Sequence, residues 1–595
     1  MDLLLAPVFY LGPYSIYADC RPFNYDEFKD FKTDEVIQFN PDIKPFQQWR
    51  GVLNLNENSL QKQTGSNDGD DEFLYYTWII DGISQLSIHN RAKIPYLFEI
   101  SFLNEDLKNV NPHNLTVSKH TAYDLWHEPP TKSLKDPIHL VVVTHGIFSN
   151  VGGDMLFIRD KLVEHCKLKG ENVIIRGYEE NIGKSYKGIQ FLGERLAEYI
   201  KNLIEVENKK KYLNKGYSGI KEISFISHSL GGCVQSYAMA YIHKTTPNFF
   251  AKNGVKLKHF ITMASPLLGT AVEMPSYANF ALSLGGLGKT GRDLTLKHKN
   301  FFDFSINNKD NKPVLEIIAR SPVFKEFSNR TLYANTLHDG IVPLRTSALL
   351  YLDWQTLDKL YKLFKANHLN FHEYKKQSED ESEAAIPKIH THNSHKSHNV
   401  NGFDETHIES IFYNKDVASK PTPWQKNRNQ KYRRIQVIQN DSSTSLPSSE
   451  SSSSLEHSAD IEEIHFQPPP KPSAIIAAAN LVFAKLPTQK YIHDLSSREK
   501  DVVLHDKIYT PEEIPSAHYV NRSKWKKIFY PNDKKYRKEE RIARYWHQDK
   551  DWRKVLVVLK GDAHNDIVVR RRFVNLFGCV AVKHLIENHF GLEEL

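Results

Sequence analysis

Ser229 stands in the run Ser227-His-Ser-Leu-Gly-Gly232, after the apolar stretch Glu222–Ser227 and before a stretch of small and apolar residues. A serine at a sharp strand-to-helix corner exposes its hydroxyl as a nucleophile. The run follows the elbow pattern Gly-x-Ser-x-Gly, with Ser227 in place of the first glycine. The turn needs small residues two before and two after the nucleophile, so that strand and helix approach closely, and serine is the next size up from glycine. The amide of Leu230 would then lie at a helix N-terminus, where partial positive charge favours an oxyanion. Taken alone, the hexapeptide also fits a serine that caps a helix after a strand.

Three further segments complete a hydrolytic set. In Thr144-His-Gly-Ile-Phe148 a His-Gly turn follows the first strong apolar run and offers the backbone amide of Ile147 as a second oxyanion donor. His145 itself also reads as a structural loop residue. Asn335-Thr-Leu-His-Asp-Gly-Ile-Val-Pro343 sets Asp339 in a turn after the run Thr331–Asn335, the place of a triad acid, although Asp-Gly turns occur anywhere. Val555-Leu-Val-Val-Leu-Lys-Gly-Asp-Ala-His564 carries one of 28 histidines, marked out by the strand before it and the helix soon after. Serine, acid and histidine occur in that chain order. Together they predict that His564 takes the Ser229 proton as Ser229 attacks an ester carbonyl, that Asp339 orients His564, and that the amides of Leu230 and Ile147 hold the oxyanion. An acyl-enzyme forms and water releases it, with no metal and no organic cofactor.

These residues need a frame. Short apolar runs at His139–Thr144, Asn172–Arg176, Glu222–Ser227, Lys258–Ala264, Thr331–Asn335 and Lys554–Leu559 alternate with the amphipathic stretches Leu156–His165, Gly188–Val206 and Gly231–Ile242. Buried strands alternating with helices predict βαβ units and a mostly parallel central sheet, and the elbow, acid turn and histidine loop in that chain order make the expected fold an α/β-hydrolase. Residues 135–370 would form the first part of its core, with oxyanion loop, nucleophile, lid and acid. Residues 501–595 would form the second part, with the histidine and a final helix at Val574–Phe590. Residues 1–130 carry short aromatic and β-branched runs, such as Phe73–Ile80, Ile83–Ile88 and Tyr96–Phe102, and predict a smaller β-rich, sandwich-like domain. The segment 375–500 holds the Ser-rich stretch Ser442–Ser454, an acidic cluster at Glu379–Glu383 and Pro468–Pro472. It reads as a long disordered insertion.

The 595 residues exceed what one core usually supports and set a prior of three or four domains. The net charge of +7 hints at acidic surfaces such as anionic lipid, and is too weak to argue for nucleic acid. Cys20, Cys166, Cys233 and Cys579 show no pairing by spacing, which points to a reducing, intracellular setting. Met-Asp-Leu-Leu-Leu-Ala-Pro lacks the basic start of a secretory signal, so Asn114-Leu-Thr and Asn329-Arg-Thr are expected to go unglycosylated. No stretch is long and apolar enough to span a bilayer. Gly285-Gly-Leu-Gly-Lys-Thr290 falls short of a phosphate loop, because Ser283 stands where glycine is needed. His390, His392, His395 and His398 lie in polar sequence without cysteine and are set aside as metal ligands.

The motifs as a set resemble the fungal ROG family of lipases, a serine-esterase domain of the α/β-hydrolase type. The likeness rests on His145-Gly-Ile, Gly153-Asp-Met, Gly193-Glu-Arg-Leu-Ala, His228-Ser-Leu-Gly-Gly, Ala264-Ser-Pro-Leu-Leu-Gly, His338-Asp-Gly-Ile-Val-Pro, Trp552-Arg-Lys-Val and Asp562-Ala-His-Asn-Asp-Ile-Val-Val-Arg-Arg. It covers residues 135–370 and 500–595. It implies hydrolysis of acylglycerols or phospholipids and supports Ser229, Asp339 and His564, with Ser227 as a departure from glycine. The implied partner is a lipid ester met peripherally on a membrane or lipid droplet. Residues 266–290 fit an apolar lid or a packed helix pair. Arg570–Arg572 and Lys534–Arg544 fit either lipid head groups or a solvated face. An acyl-thioesterase or protein deacylase would use the same triad, and a weakly active hydrolase scaffold would work as an interaction protein.

Overall fold

The computed structural model of the chain describes residues 16–29, 37–44, 46–53, 60–64, 72–84, 97–100, 115–270, 288–296, 312–337, 339–353, 356, 502–514, 533–559 and 562–591. Two compact units divide the chain. The first comprises Met1–Leu350, Ala479–Ile514 and Ser523–Leu595. The second, Tyr351–Ala478 with Pro515–Arg522, holds only residues 351–353 and 356 of the described set. The expected disordered insertion and the histidine cluster lie outside the described residues.

The N-terminal segment is β-rich. Strands β1 (Ile16–Pro22), β2 (Gln38–Ile43), β3 (Leu60–Thr64), β4 (Glu72–Tyr76) and β5 (Trp78–Ser84) make two pieces. One is an antiparallel sheet of order β2-β1-β5, and the other is a β3-β4 hairpin. No sandwich forms among the described residues. The run Phe73–Ile80 is broken at Thr77, whose carbonyl accepts from the amide of Phe23, so its two halves enter different sheets. Residues 97–100 of the expected strand Tyr96–Phe102 are not extended into any sheet.

The main sheet holds β6 (Ile138–Thr144), β7 (Val173–Gly177), β8 (Ile220–His228), β9 (Lys256–Met263), β10 (Asn329–Asn335), β11 (Val503–Tyr509) and β12 (Trp552–Val557), in the order β11-β12-β10-β9-β8-β6-β7. All pairs are parallel except β11-β12. Every residue of β6 is buried, as a strand covered on both faces requires. The unpredicted strand is β11. It is an edge strand with most side chains partly exposed, so it alternates polar and apolar residues instead of forming an apolar run. Among the helices are α1 (Leu156–Lys169), α2 (Ile189–Lys201), α3 (Leu230–Thr245) and α4 (Cys579–His589); α1 and α3 contain the predicted stretches Leu156–His165 and Gly231–Ile242, whereas Gly188–Val206 is capped by Gly188, runs as α2 to Lys201 and continues as a π-helical turn over Asn202–Glu207. Helix α4 begins five residues later than Val574, because Asn575 is spent on hydrogen bonds to Asp566 and Arg571. No helix among the described residues is long and apolar enough to cross a membrane.

The small sheet shares the large domain's core. Tyr25 and Ile37 belong to one apolar cluster with Val141, Phe573 and Val582. Phe573 donates its amide to the Tyr17 hydroxyl at 3.1 Å and packs against the rings of Tyr25 and Phe39. Arg572, expected as a candidate for lipid head groups, is buried instead, paired with Glu27 and, at 3.1 Å, with Asp160. Lys161 closes on the other Glu27 oxygen at 2.6 Å. Burial opposes ionisation of Glu27, but Arg572 and Lys161 outweigh it and hold the carboxyl down at about 2. Of the other cations, Arg541 pairs with Glu316, and Arg544 with Glu540.

Removing one partner of a buried ion pair costs about 3–5 kcal/mol, whereas exposed pairs contribute about 0–1. Chemical denaturation should therefore show Arg572→Ala losing stability on the larger scale and Lys211→Ala, at the exposed Glu207 pair, staying near wild type. Glu27 has a folded value near 2, below its ordinary 4.5. Its contribution is complete above about pH 4.5 and is lost as pH falls to about 2. Acid titration should bring wild type and Glu27→Gln together over that window.

Candidate active site

Parallel strands carry their C-terminal ends to one edge of the sheet, where ligands bind in open α/β sheets. The loops after β6, β8, β10 and β12 therefore meet there, and they carry Ile147, Ser229, Asp339 and His564.

Ser229 caps α3 with φ 55° and ψ −127°, a conformation that costs a non-glycine residue about 1–3 kcal/mol. Its amide is anchored on the Met263 carbonyl of β9 at 2.9 Å. Glycine follows at 231 and 232 because there is no room for more. A Cβ at Gly231 would lie 2.7 Å from the His145 carbonyl oxygen, and one at Gly232 would lie 2.3 Å from the Ser265 hydroxyl. Ser227 fits the place of the first glycine by donating its hydroxyl to the Ile261 carbonyl at 3.2 Å, so the extra atom is buried but satisfied.

His564 lies between the other two. Its Nε2 accepts from the Ser229 hydroxyl at 3.0 Å, and its Nδ1 donates to Asp339 Oδ2 at 3.1 Å. All three side chains are buried. Asp339 Oδ1 accepts the amides of Ile341 and Val342 at 3.0 and 2.7 Å, and Oδ2 also accepts from Asn335 at 2.8 Å. Burial opposes its ionisation, but His564, the Val342 amide and Asn335 outweigh it and hold the carboxyl at about 2. An ionised acid facing Nδ1–H leaves Nε2 as a proton acceptor aimed at the serine.

The loop after β6 passes directly over the serine. A Cβ at Gly146 would lie 2.8 Å from Ser229 Cβ. Among the described residues, the amides of Ile147 and Leu230 meet no acceptor, whereas the neighbouring Phe148 amide donates to Ser185. His145 donates Nδ1–H to the Gly146 carbonyl at 2.9 Å, as a brace within the loop. A narrow crevice lies behind, walled by Gly146, Tyr178, Asn181, Leu192, Leu230 and Val234.

Two supporting residues escaped the sequence reading. Asn335 also donates to the Ala563 carbonyl at 3.0 Å, tying acid turn to histidine loop; its signal was its place at the end of β10, four residues before the acid. His228 donates Nε2–H to the His564 carbonyl at 2.8 Å. Burial, reinforced by the adjacent His564, pushes His228 down to about 3 and keeps it neutral. Part of the expected lid is core instead: Leu267 and Leu268 are buried, and the Leu268 amide donates to Thr346. Residues 271–287 lie outside the described set. In the former phosphate-loop candidate, Thr290 bonds the Gly188 amide and the Ser185 carbonyl, a structural role.

The sequence family described as "Putative serine esterase (DUF676)" matches residues 134–349. "Putative lipase YDR444W" of Saccharomyces cerevisiae is 39% identical over 99% of this chain and 84% of that protein. "Putative lipase ROG1" of the same yeast is 32% identical over 98% of this chain and 75% of that one. Among solved structures, an esterase of Pyrococcus furiosus is similar at 13% identity, covering 39% of this chain and 79% of that one with a TM-score of 0.19. With a parallel hydrolase sheet, a serine-esterase domain and relatives alike over almost its whole length, the chain belongs to this fungal family of serine-esterase lipases.

Proposed function

We propose that this chain hydrolyses carboxylic esters of lipids, acylglycerols or phospholipids, through an acyl-enzyme on Ser229. The observation that carries the reading is the buried relay from the Ser229 hydroxyl through His564 to Asp339. His564 Nε2 takes the hydroxyl proton as Oγ adds to the ester carbonyl. Asp339 holds Nδ1–H and balances the imidazolium that results. The amides of Ile147 and Leu230 receive the oxyanion. The tetrahedral adduct collapses, and the alcohol leaves with the proton from Nε2. Water then enters by the same steps in reverse roles and frees the acid.

The lipid part of the proposal is supported by the relatives' names and by the rim of the site. Phe148, 43% exposed, lies beside the oxyanion loop, and Tyr186, 41% exposed, follows the Ser185 that holds the Phe148 amide. Such rings offer an acyl chain apolar surface. We assign the work to a membrane or lipid-droplet surface inside the cell, in keeping with four buried cysteines that form no disulfide.

The direct test is hydrolysis of monoacylglycerol, triacylglycerol, phospholipid and an acyl-thioester by the full chain beside Ser229→Ala. Loss of about a thousandfold or more in the variant is expected. Equal rates in both proteins would remove Ser229 from the mechanism, and a rate confined to the thioester would move the substrate class. Asp339→Asn, which favours the wrong tautomer of His564, should lower kcat by about ten-thousandfold at near-wild-type KM.

A further inference from the structure

We propose that Asp154 is a positioning residue for the oxyanion hole, tying the loop that carries the Ile147 amide to the loop that follows His564. This rests on the triad reading above. Asp154 ends the short turn Val151–Asp154, one step beyond the oxyanion loop, and is 2% exposed. Oδ2 accepts from the Ser149 hydroxyl at 2.6 Å and the Asn150 amide at 3.1 Å, so it grips the loop two and three residues after Ile147. The same carboxylate meets two cations from the far end of the chain. Arg571 Nη1 reaches Oδ1 at 2.7 Å and Arg570 Nη2 reaches Oδ2 at 3.1 Å.

Those arginines belong to the histidine loop. Arg570 donates its amide to the Asn565 carbonyl at 3.1 Å, and Asn565 adjoins His564. Arg571 donates its amide to Asn575 Oδ1 at 3.0 Å, and Asn575 donates in turn to Asp566 at 2.7 Å. One carboxylate thus connects the loop of the proposed oxyanion amide with the loop of the proposed general base.

The loop needs an outside hold. Phe148 sits at φ 46°, in the region an L-residue avoids, so the turn is not the chain's own preference. Ser185 secures it on one side through the Phe148 amide, and Asp154 secures it on the other. From below, Gly153 packs so closely on β5 that a Cβ would lie 2.6 Å from Ile83, which fixes the height of the turn. Burial opposes ionisation of Asp154, but Arg570 and Arg571 outweigh it and hold the carboxyl far below the usual range, so the latch stays charged.

Ser149→Ala removes the shorter of the two bonds that grip the loop and leaves the Asn150 amide bond and both ion pairs, whereas Asp154→Asn removes the charge. Each would be compared with wild type on a soluble p-nitrophenyl ester, with rates expressed per site titrated by a fluorophosphonate. Affinity for a trifluoromethyl ketone, whose adduct with Ser229 carries the oxyanion, would be measured alongside. Misplacing a reacting group by about an ångström costs on the order of a hundredfold. We expect kcat per titrated site to fall about ten- to a hundredfold, with KM within about twofold. Ketone affinity should weaken by the same factor as kcat/KM. A residue that served stability alone would lower the number of titrated sites and leave both quantities per site unchanged, and that result would overturn the proposal. Should Asp154→Asn fail to fold, Ser149→Ala decides on its own. A wild-type protein that takes no fluorophosphonate would sink the triad reading as well, an outcome distinct from labelled but unimpaired variants.

Discussion

The corner at Ser229 is the constraint around which the rest is arranged. A serine at φ 55° and ψ −127° is held against its own preference, and the load is carried by contacts from several elements. Met263 of β9 takes its amide, Gly146 presses on it from the loop after β6, and Gly231 and Gly232 let α3 close on the strands. Each of these works only if β6, β8 and β9 lie side by side in register. Thr144 opposite Ser227 and His228 opposite Met263 are that register. The sheet is therefore the device that sets the backbone of Ser229, the proposed nucleophile, beyond being a scaffold beneath it.

A second theme is how charge is buried. The arginines 570 to 572 divide between two tasks. The first two meet Asp154 beside the loop after β6, and the third meets Glu27 and Asp160. Three adjacent cations then pull the histidine loop toward three carboxylates far away in sequence, Glu27, Asp154 and Asp160. Buried pairs of this kind add little net stability over an apolar core, but they define which arrangement is tolerated, because any other leaves a charge uncompensated. On this view the N-terminal strands are part of the catalytic domain's integrity, sharing its core through Tyr25, Ile37 and Phe573.

Much of the fold was legible because buried parallel strands leave continuous apolar runs and their helices leave a 3.6-residue period. Six strands and three helices were marked in that way. The edge strand β11 was not, since a half-exposed strand mixes polar and apolar residues. The N-terminal run Phe73–Ile80 misled for a related reason: hydrophobicity gives no sign of the break at Thr77 that sends its halves to different sheets. At the site, Ser229, Asp339 and His564 carried local signals, each a turn with special residues after an apolar run.

What the sequence determined by itself was local: an elbow that only small neighbours allow, an Asp-Gly turn, a His-Gly loop, and strands too apolar to lie anywhere but inside. What only the tertiary structure decided was pairing. The arginine run looked like a solvated or lipid-facing patch because a charge's fate depends on partners at residues 27, 154 and 160, and nothing near it in sequence names them. Asn335 and His228 likewise gain their roles from the carbonyls of Ala563 and His564, more than two hundred residues away. Hydrophobic periodicity is a property of neighbours along the chain, whereas the compensation of a buried charge or a buried hydrogen bond is settled by whichever groups folding brings within about 3 Å.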